Sequence, residues 1–177
     1  SLPCWVPHRR VAAALGHVTG SIEAAEARVG GPYVWATEFE NVHAHWHFDE
    51  PGFELCGLAY AGPEQFYQSH KHKTAATAAS SPQAREQFAA ATAHVRCAPE
   101  PMDAFSLGRS IDLRPDWECI KDKVMEESIG GKFSSDDGLA DLLSSTHPHA
   151  LVSVKGDSYW GIGLAGEGNN RLGTLLQ

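Results

Sequence analysis

The sequence predicts an α+β fold in which helix dominates, and three features carry that reading. Strand-like alternation is confined to short stretches, "FENVHAHWHF" (Phe39–Phe48), "FELCGLAY" (Phe53–Tyr60) and "ALVSVK" (Ala150–Lys155). Helical patterns opened by Pro or Ser-Pro and closed by Gly fill much of the remainder. With 177 residues and 42% hydrophobic side chains, the chain is long enough to bury one sizeable core. Neither an internal repeat nor a low-complexity tract divides it.

Residues 1 to 37 carry the weakest pattern. Pro3 and Pro7 give an extended start, and "SIEAAEAR" (Ser21–Arg28) reads as a short helix stopped by Gly30 and Gly31. This segment is expected to form an N-terminal extension packed on a domain of residues 38–177. Residues 39–48 read as a strand, and 53–60 as a second strand with Gly57 as a bend or bulge. Pro63 suits a first helical position, and Glu64 then sits in the first turn, where the helix dipole favours a carboxylate. That helix is expected to run to about Ala79. Ser81-Pro82 starts another, ending near His94, whereas the two prolines of "CAPEPMDAF" leave room for one short turn at most. "RPDWECIKDKVMEESIGGKF" is the clearest helix, opening at Pro115. Trp117, Ile120, Val124 and Ser128 form its apolar stripe, and Gly130-Gly131 loosens its last turn. A short helix over Gly138–Ser144, a strand over 150–155 and a last helix beginning near Asn170 complete the order.

Composition narrows the function. The 14 basic and 22 acidic side chains give a net charge of −8, which argues against sequence-independent binding to a nucleic-acid backbone. A local pocket for a phosphate-bearing ligand or a modified base stays open. No apolar run reaches membrane-spanning length. The four cysteines, Cys4, Cys56, Cys97 and Cys119, form no CxxC pair and read as reduced thiols. An intracellular protein, cytoplasmic or nuclear, is expected, monomeric and without a membrane partner.

Four constellations could carry chemistry. Glu64, Gln68 and Lys71 stand at i, i+4 and i+7, so one helical face would present an acid, an amide and an amine. The spacing fits a solvated face as well as the wall of a site. "GDSYWGIGLAGEGNNRLG" (Gly156–Gly173) packs six glycines into 18 residues. It reads either as an irregular loop or as backbone approaching a ligand, with Asn170 donating from a helix start. "LGRSIDLRPDWE" (Leu107–Glu118) offers Gly108-Arg109 and Arg114 to a phosphate, because guanidinium forks suit phosphate oxygens. Its Trp117 fits a core stripe better than a binding platform. Finally, His43, His45 and His47 would share one strand face, with His70 and His72 further on. Same-face histidines without a paired carboxylate or thiol are a weak metal signal, and no metal is expected.

The motifs, taken in order, resemble those of the NADAR (NAD- and ADP-ribose-associated), or YbiA-like, family. Its Glu-aromatic-aromatic-Gln-x-x-Lys helix is echoed by "EQFYQSHK". Its Gly-Arg and Leu-Arg-x-x-Trp elements are matched by "GRSIDLRPDW", and its Lys-Phe helix end by Lys132-Phe133. Its closing Asp-x-x-Trp-Gly and Gly-x-Asn-Arg-Leu-Gly appear as "DSYWG" and "GNNRLG". The family's Phe-Ser-Asn-Phe element has "EFENVHAHWHF" standing in its place.

The resemblance implies an N-glycosidase needing no cofactor. Family members cleave phosphoribosylamino-pyrimidine intermediates of riboflavin biosynthesis, or remove ADP-ribose from the amino group of guanine bases. The second substrate, carried in nucleic acid or nucleotide, is the one expected here. Residues 1 to 37 and the His/aromatic segment exceed what a small pyrimidine pocket requires. A catalytically silent module binding ADP-ribose or NAD is the alternative from outside the enzyme class. The resemblance further implies Glu64 as acid/base, Lys71 as the reactive amine with Lys132 as its competitor, and Asp157 at the sugar. Gln68, Gly108, Arg109, Trp117, Lys132, Trp160, Gly161 and Asn170 would contact substrate, Trp117 and Trp160 as walls for the base.

Overall fold

The structure, a computed structural model, describes residues 33–35, 52–144, 150–153 and 156–177. In chain order its elements are β1 (Tyr33–Trp35), β2 (Phe53–Leu55), β3 (Leu58–Tyr60), α1 (Pro63–Ser69), α2 (Pro82–Arg96), α3 (Pro101–Gly108), α4 (Trp117–Phe133), α5 (Asp137–Ser144), β4 (Ala150–Val152) and α6 (Arg171–Leu175). A single 3-10 turn, Lys73–Ala76, lies between α1 and α2. The class is α+β with helix dominant, as expected. The expected helix over 21–28, strand over 39–48 and boundary at residue 37 fall outside the described residues, as do His43, His45 and His47.

The backbone divides into two units, His45–Asp137 and a second formed by Ser1–Ala44 with Gly138–Gln177. In the first, β2 and β3 make an antiparallel hairpin, with Phe53 opposite Tyr60 and Leu55 opposite Leu58. This corrects the single bent strand expected there. The two turn residues, Cys56 and Gly57, both have positive φ (54° and 75°), the combination a two-residue hairpin turn requires. Gly57 adopts it freely, whereas Cys56 gives no sequence cue for it.

Helix α1 follows at once, opened by Pro63, and all seven of its residues are buried. So short a helix is held by packing and not by propensity. It is enclosed by α2, α3, α4 and β3. Phe66 anchors it, its ring 4.8 Å from Tyr60, 5.9 Å from Phe53 and 3.9 Å from the stacked His70 ring. Emptying such a site by Phe66→Ala costs about 3–5 kcal/mol. Helix α4, longest of the set, closes on α1 through Ser128, whose hydroxyl donates to the Pro63 carbonyl at 2.8 Å. Its Gly131 was expected to loosen the last turn. Instead it admits the hairpin, since a Cβ there would stand 2.6 Å from the Phe53 ring. The stripe of α4 is also redrawn: Met125, Ile129, Lys132 and Phe133 are buried with Trp117, Val124 and Ser128, whereas Ile120 is only half-buried.

Two further expectations change. Helix α1 stops at His70, not Ala79, because the chain beyond it pairs with the segment before α4. Arg114 N donates to Lys71 O at 2.8 Å, Lys73 N to Asp112 O at 2.8 Å, and His72 bridges Leu113. That pairing overrides helix propensity. Helix α3 spans eight residues where one turn was expected, since Pro101 occupies its first position and starts it. By contrast α2 begins where Ser81-Pro82 indicated, the Ser81 hydroxyl accepting from Ala84 N at 3.1 Å.

In the second unit β1 runs parallel to β4, Val34 opposite Leu151. Tyr33–Trp35 lies in the segment that showed no strand pattern. Leu151 and Val152 are buried, and the glycine-rich loop folds back on itself, with Ile162 N donating to Ser153 O and Leu172 N to Trp160 O.

His70 makes the first unit sensitive to acid. Its Nδ1 lies 2.8 Å from the Phe66 carbonyl, an acceptor, so Nδ1 carries a proton. Burial pushes its pKa down to about 4. A folded pKa below the ordinary value of 6.5 means the unfolded chain takes up the proton first. The contribution is therefore whole above pH 6.5 and is lost as pH falls through 4. The loss approaches roughly 3 kcal/mol. Urea unfolding at pH 7.5 and 4.5 should show a fall in stability that His70→Asn largely abolishes; an equal fall in that variant would assign it to carboxylates.

Candidate active site

Glu64 sits in the first turn of α1, 2% exposed, and Gln68 one turn on is 1% exposed. Gln68 Nε2 donates to Glu64 Oε1 at 2.6 Å, so acid and amide share a face as their spacing predicted. A carboxylate this deep needs such a donor.

Lys71 joins them by another route. It lies past the end of α1, so helical periodicity does not aim it; the backbone pairing with Asp112–Arg114 does. Its amine stands 5.2 Å from the Tyr67 ring centroid and 5.7 Å from that of Trp117, and those rings meet edge-on at 5.0 Å. Burial holds the amine below the ordinary lysine range. The Glu64 charge opposes that shift, the Arg109 charge adds to it, and the Glu118 charge opposes it. A half-buried amine between two aromatic rings and near a carboxylate is a nucleophile's environment.

Other predicted residues of this unit are placed less uniformly. Gly108, at the buried end of α3, backs onto Gln68, whereas Arg109 is exposed, with its guanidinium over the Phe105 ring. Trp117 is buried, as its place in the stripe indicated, and its ring also walls the amine. Lys132 is 1% exposed in the last turn of α4. Arg114 gives its Nε and Nη2 to Asp116 Oδ1 and Oδ2 at 2.7 and 2.8 Å, so this edge of its fork holds the loop before α4. Tyr67, whose ring stands beside the Lys71 amine, is not among the residues the sequence singled out. Its position four residues before Lys71 was the available signal.

The second unit gathers Asp157, Trp160, Gly161 and Asn170 around the glycine-rich loop. Asp157 is exposed, and its Oδ1 accepts from Tyr159 N at 2.8 Å and Trp160 N at 2.7 Å, fixing the turn that carries Trp160. Trp160 is half-buried, edge-on to Tyr159 at 5.0 Å. Asn170 has φ of 50°, and both ends of its amide serve β4 and the residue after it. Oδ1 accepts from Ser153 N at 2.8 Å, and Nδ2 donates to Leu151 O at 2.9 Å. Its side chain clamps a strand, a role the sequence did not suggest.

A cavity of about 420 Å³ opens elsewhere in the first unit, between the hairpin, Ala75–Ala79, α2 and α4. His70 and Arg114 stand in its described wall; Glu64 and Lys71 do not. Volume and chemistry therefore point to different places, and the buried acid–amide–amine group is the better guide to a reaction. Among the described residues, no three His, Cys, Asp or Glu side chains gather in a way that could hold a metal ion. No described helix is long and apolar enough to cross a membrane.

The family model described as the NADAR domain matches residues 28–177, and the chain belongs to that family. It is 42% identical over 85 residues to the N-glycosidase YbiA of Escherichia coli, a stretch covering 46% of this chain and 53% of that protein. The chain thus spans about half the length of that relative. An N-glycosidase of Nostoc punctiforme is 32% identical over 133 residues, covering 73% of this chain and 78% of that protein. A chloroplastic riboflavin biosynthesis protein, PYRR, of Zea mays is 36% identical over 120 residues, covering 64% of this chain and 18% of its own. The NMR structure of E. coli YbiA superposes with a TM-score of 0.55 at 32% identity, covering 75% of this chain and 70% of that one.

The Asn170 clamp has a measurable weight. Asn170→Ala leaves the Ser153 N–H and Leu151 carbonyl without that partner and sets at φ of 50° a residue that tolerates the left-handed region less well than asparagine. Denaturation should show a loss of roughly 2–4 kcal/mol. Asn170→Gly should recover only the backbone part, and equal stability of all three proteins would dismiss the clamp.

Proposed function

We propose that this chain is an N-glycosidase that hydrolyses a ribosylamine, the bond between an anomeric carbon and the exocyclic amine of a purine or pyrimidine. The observation that carries the reading is the buried Glu64, oriented by Gln68, in the electrostatic reach of a lysine whose pKa burial lowers. The names of the E. coli and Nostoc punctiforme relatives support the same class.

In this reading the carbon–nitrogen bond breaks with positive charge growing on the sugar and negative charge on the base. Glu64 moves the proton that the leaving amine requires. Ring-opening of the glycosylamine gives an imine, which the neutral Lys71 amine captures at the former anomeric carbon, expelling the base as its free amine. Water then hydrolyses the resulting Schiff base, returning the lysine and releasing the sugar. A lowered amine pKa raises the neutral, nucleophilic fraction at neutral pH. In the first unit Trp117 would flank the base. In the second unit, taken by itself, Asp157 would offer Oδ2 to a sugar, its Oδ1 being engaged in the turn that carries Trp160.

Two substrates fit this chemistry. ADP-ribose on guanine is favoured by the length and aromatic content of the N-terminal segment, of which only Tyr33–Trp35 is among the described residues. A phosphoribosylamino-pyrimidine is favoured by a specific observation, the similarity to plant proteins named for riboflavin biosynthesis. Incubation with ADP-ribosylated guanosine in DNA and, separately, with the phosphoribosylamino-pyrimidine, followed by mass spectrometry, separates them. Release of free base from one defines the branch. Binding without release from either would make the chain a binding module.

Two variants test the roles. Glu64→Gln should fold and lose about a hundredfold or more in turnover; near-parental turnover would remove Glu64 from the mechanism. Borohydride added during turnover should leave the sugar-phosphate mass on the peptide bearing Lys71. The same mass on the Lys132 peptide would reassign the nucleophile, and no adduct together with an active Lys71→Ala would leave attack by water.

A further inference from the structure

We infer that Gly108 is a positioning residue for Glu64, acting through Gln68. The inference rests on the reading of Glu64 as the acid/base and gives its orientation a steric cause. Gly108 closes α3, the helix that lies along α1, and its backbone is ordinary helix; it is not among the positive-φ glycines. Conformational freedom therefore does not explain a glycine there, and within a helix glycine costs about 1 kcal/mol against alanine. Space does explain it. A Cβ at Gly108 would run into Gln68 Oε1 and stand 2.9 Å from both Cβ and Cδ of Gln68, closer than real Cβ contacts come.

The obstacle is not a soft tip that could swing aside. Gln68 Cβ is fixed to a helix buried on every side, so a methyl group at Gly108 would displace the whole side chain. With only hydrogen at Gly108, the Gln68 amide lies against α3 and its Nε2 reaches Glu64 Oε1 at 2.6 Å. Its Oε1 is buried without a hydrogen-bond partner among the described residues, so shape rather than pairing holds that end. A flip of the amide would set its oxygen against an ionised carboxylate at hydrogen-bond distance, which is repulsive. One orientation remains, and it fixes the donor on Glu64.

This role differs from a direct contact between Gly108 and substrate, and kinetics separate the two. A positioning glycine governs kcat and the pH dependence; a contact governs KM. Gly108→Ala should lower kcat about tenfold to a hundredfold, the range for loss of a hydrogen bond to a charged group, with KM little changed. Without this donor the carboxylate favours the protonated form, so whichever limb of the pH–rate profile Glu64 governs should move to higher pH. Gln68→Gly removes every Gln68 atom that the new methyl would meet, so Gly108→Ala should add no further loss in that background. The side-chain amide resonances of Gln68 should shift in Gly108→Ala, read by NMR at pH values spanning that limb.

Unchanged amide resonances in a folded Gly108→Ala protein would overturn the inference. So would a loss of kcat that is undiminished in the Gln68→Gly background, or a rise in KM alone. Should Gly108→Ala fail to fold, a folded Gly108→Ala/Gln68→Gly pair supports the contact, and an unfolded pair overturns it. Amide resonances that move while turnover stays parental would overturn the positioning role, and Glu64→Gln then decides separately whether Glu64 is the acid/base.

Discussion

A helix of seven residues has too few internal hydrogen bonds to persist in water, and α1 turns a glutamate, two glutamines and a serine into its surroundings with every residue out of solvent. Enclosure by four neighbouring elements keeps it folded, and the donors brought inside find partners there, whereas the Oε1 atoms of Gln65 and Gln68 are held without one among the described residues. Gln65 gives its Nε2 to the Ala98 carbonyl at 3.0 Å, Ser69 its hydroxyl to Phe66 O at 2.8 Å, and Gln68 its amide to Glu64. The bonds that make burial tolerable are the same bonds that orient the acid. Stability and the aim of the carboxylate are thus one structural problem, solved once.

Burial also sets the chemistry available to the charged groups. Interactions between charges strengthen where water is excluded, so the Glu64 charge acts on the Lys71 amine with more force than surface charges exert. Two aromatic rings beside the amine remove water without giving it a hard counter-ion. The arrangement suits a group that must lose a proton, bond covalently to carbon and later release it. The chain belongs to the NADAR family, and its relatives from Escherichia coli and Nostoc punctiforme are named N-glycosidases, a class that cleaves carbon–nitrogen bonds.

Much of this was legible in the residues, and the exceptions have physical causes. Ser81-Pro82 marked the start of α2 because capping is local chemistry. The face shared by Glu64 and Gln68 followed from a period of 3.6. The hairpin was hidden because Cys56 adopts a positive φ that cysteine does not advertise, and α3 because Pro99 and Pro101 read as breakers when Pro101 is its first residue. The end of α1 was invisible locally: His70 to Ala79 is compatible with helix until residues 71–73 meet 112–114. Gly108 and Asn170 were found as motif positions, yet their contacts are tertiary. A missing Cβ matters only once Gln68 lies against it, and an amide clamps only once β4 lies beneath it.

The pairing of residues 71–73 with 112–114 also makes a single mechanical body of parts far apart in sequence. The Lys71 carbonyl is bound to Arg114 N, and Trp117 N donates in turn to the Arg114 carbonyl at 3.3 Å. The amine and one of its aromatic walls are therefore suspended from the same short piece of backbone. Rotation of the lysine side chain alone cannot carry the wall with it. Detaching that backbone ladder would withdraw both together, exposing the amine to water in one step. The seclusion of the amine thus depends on two main-chain hydrogen bonds, which substitution of the side chains around it does not remove.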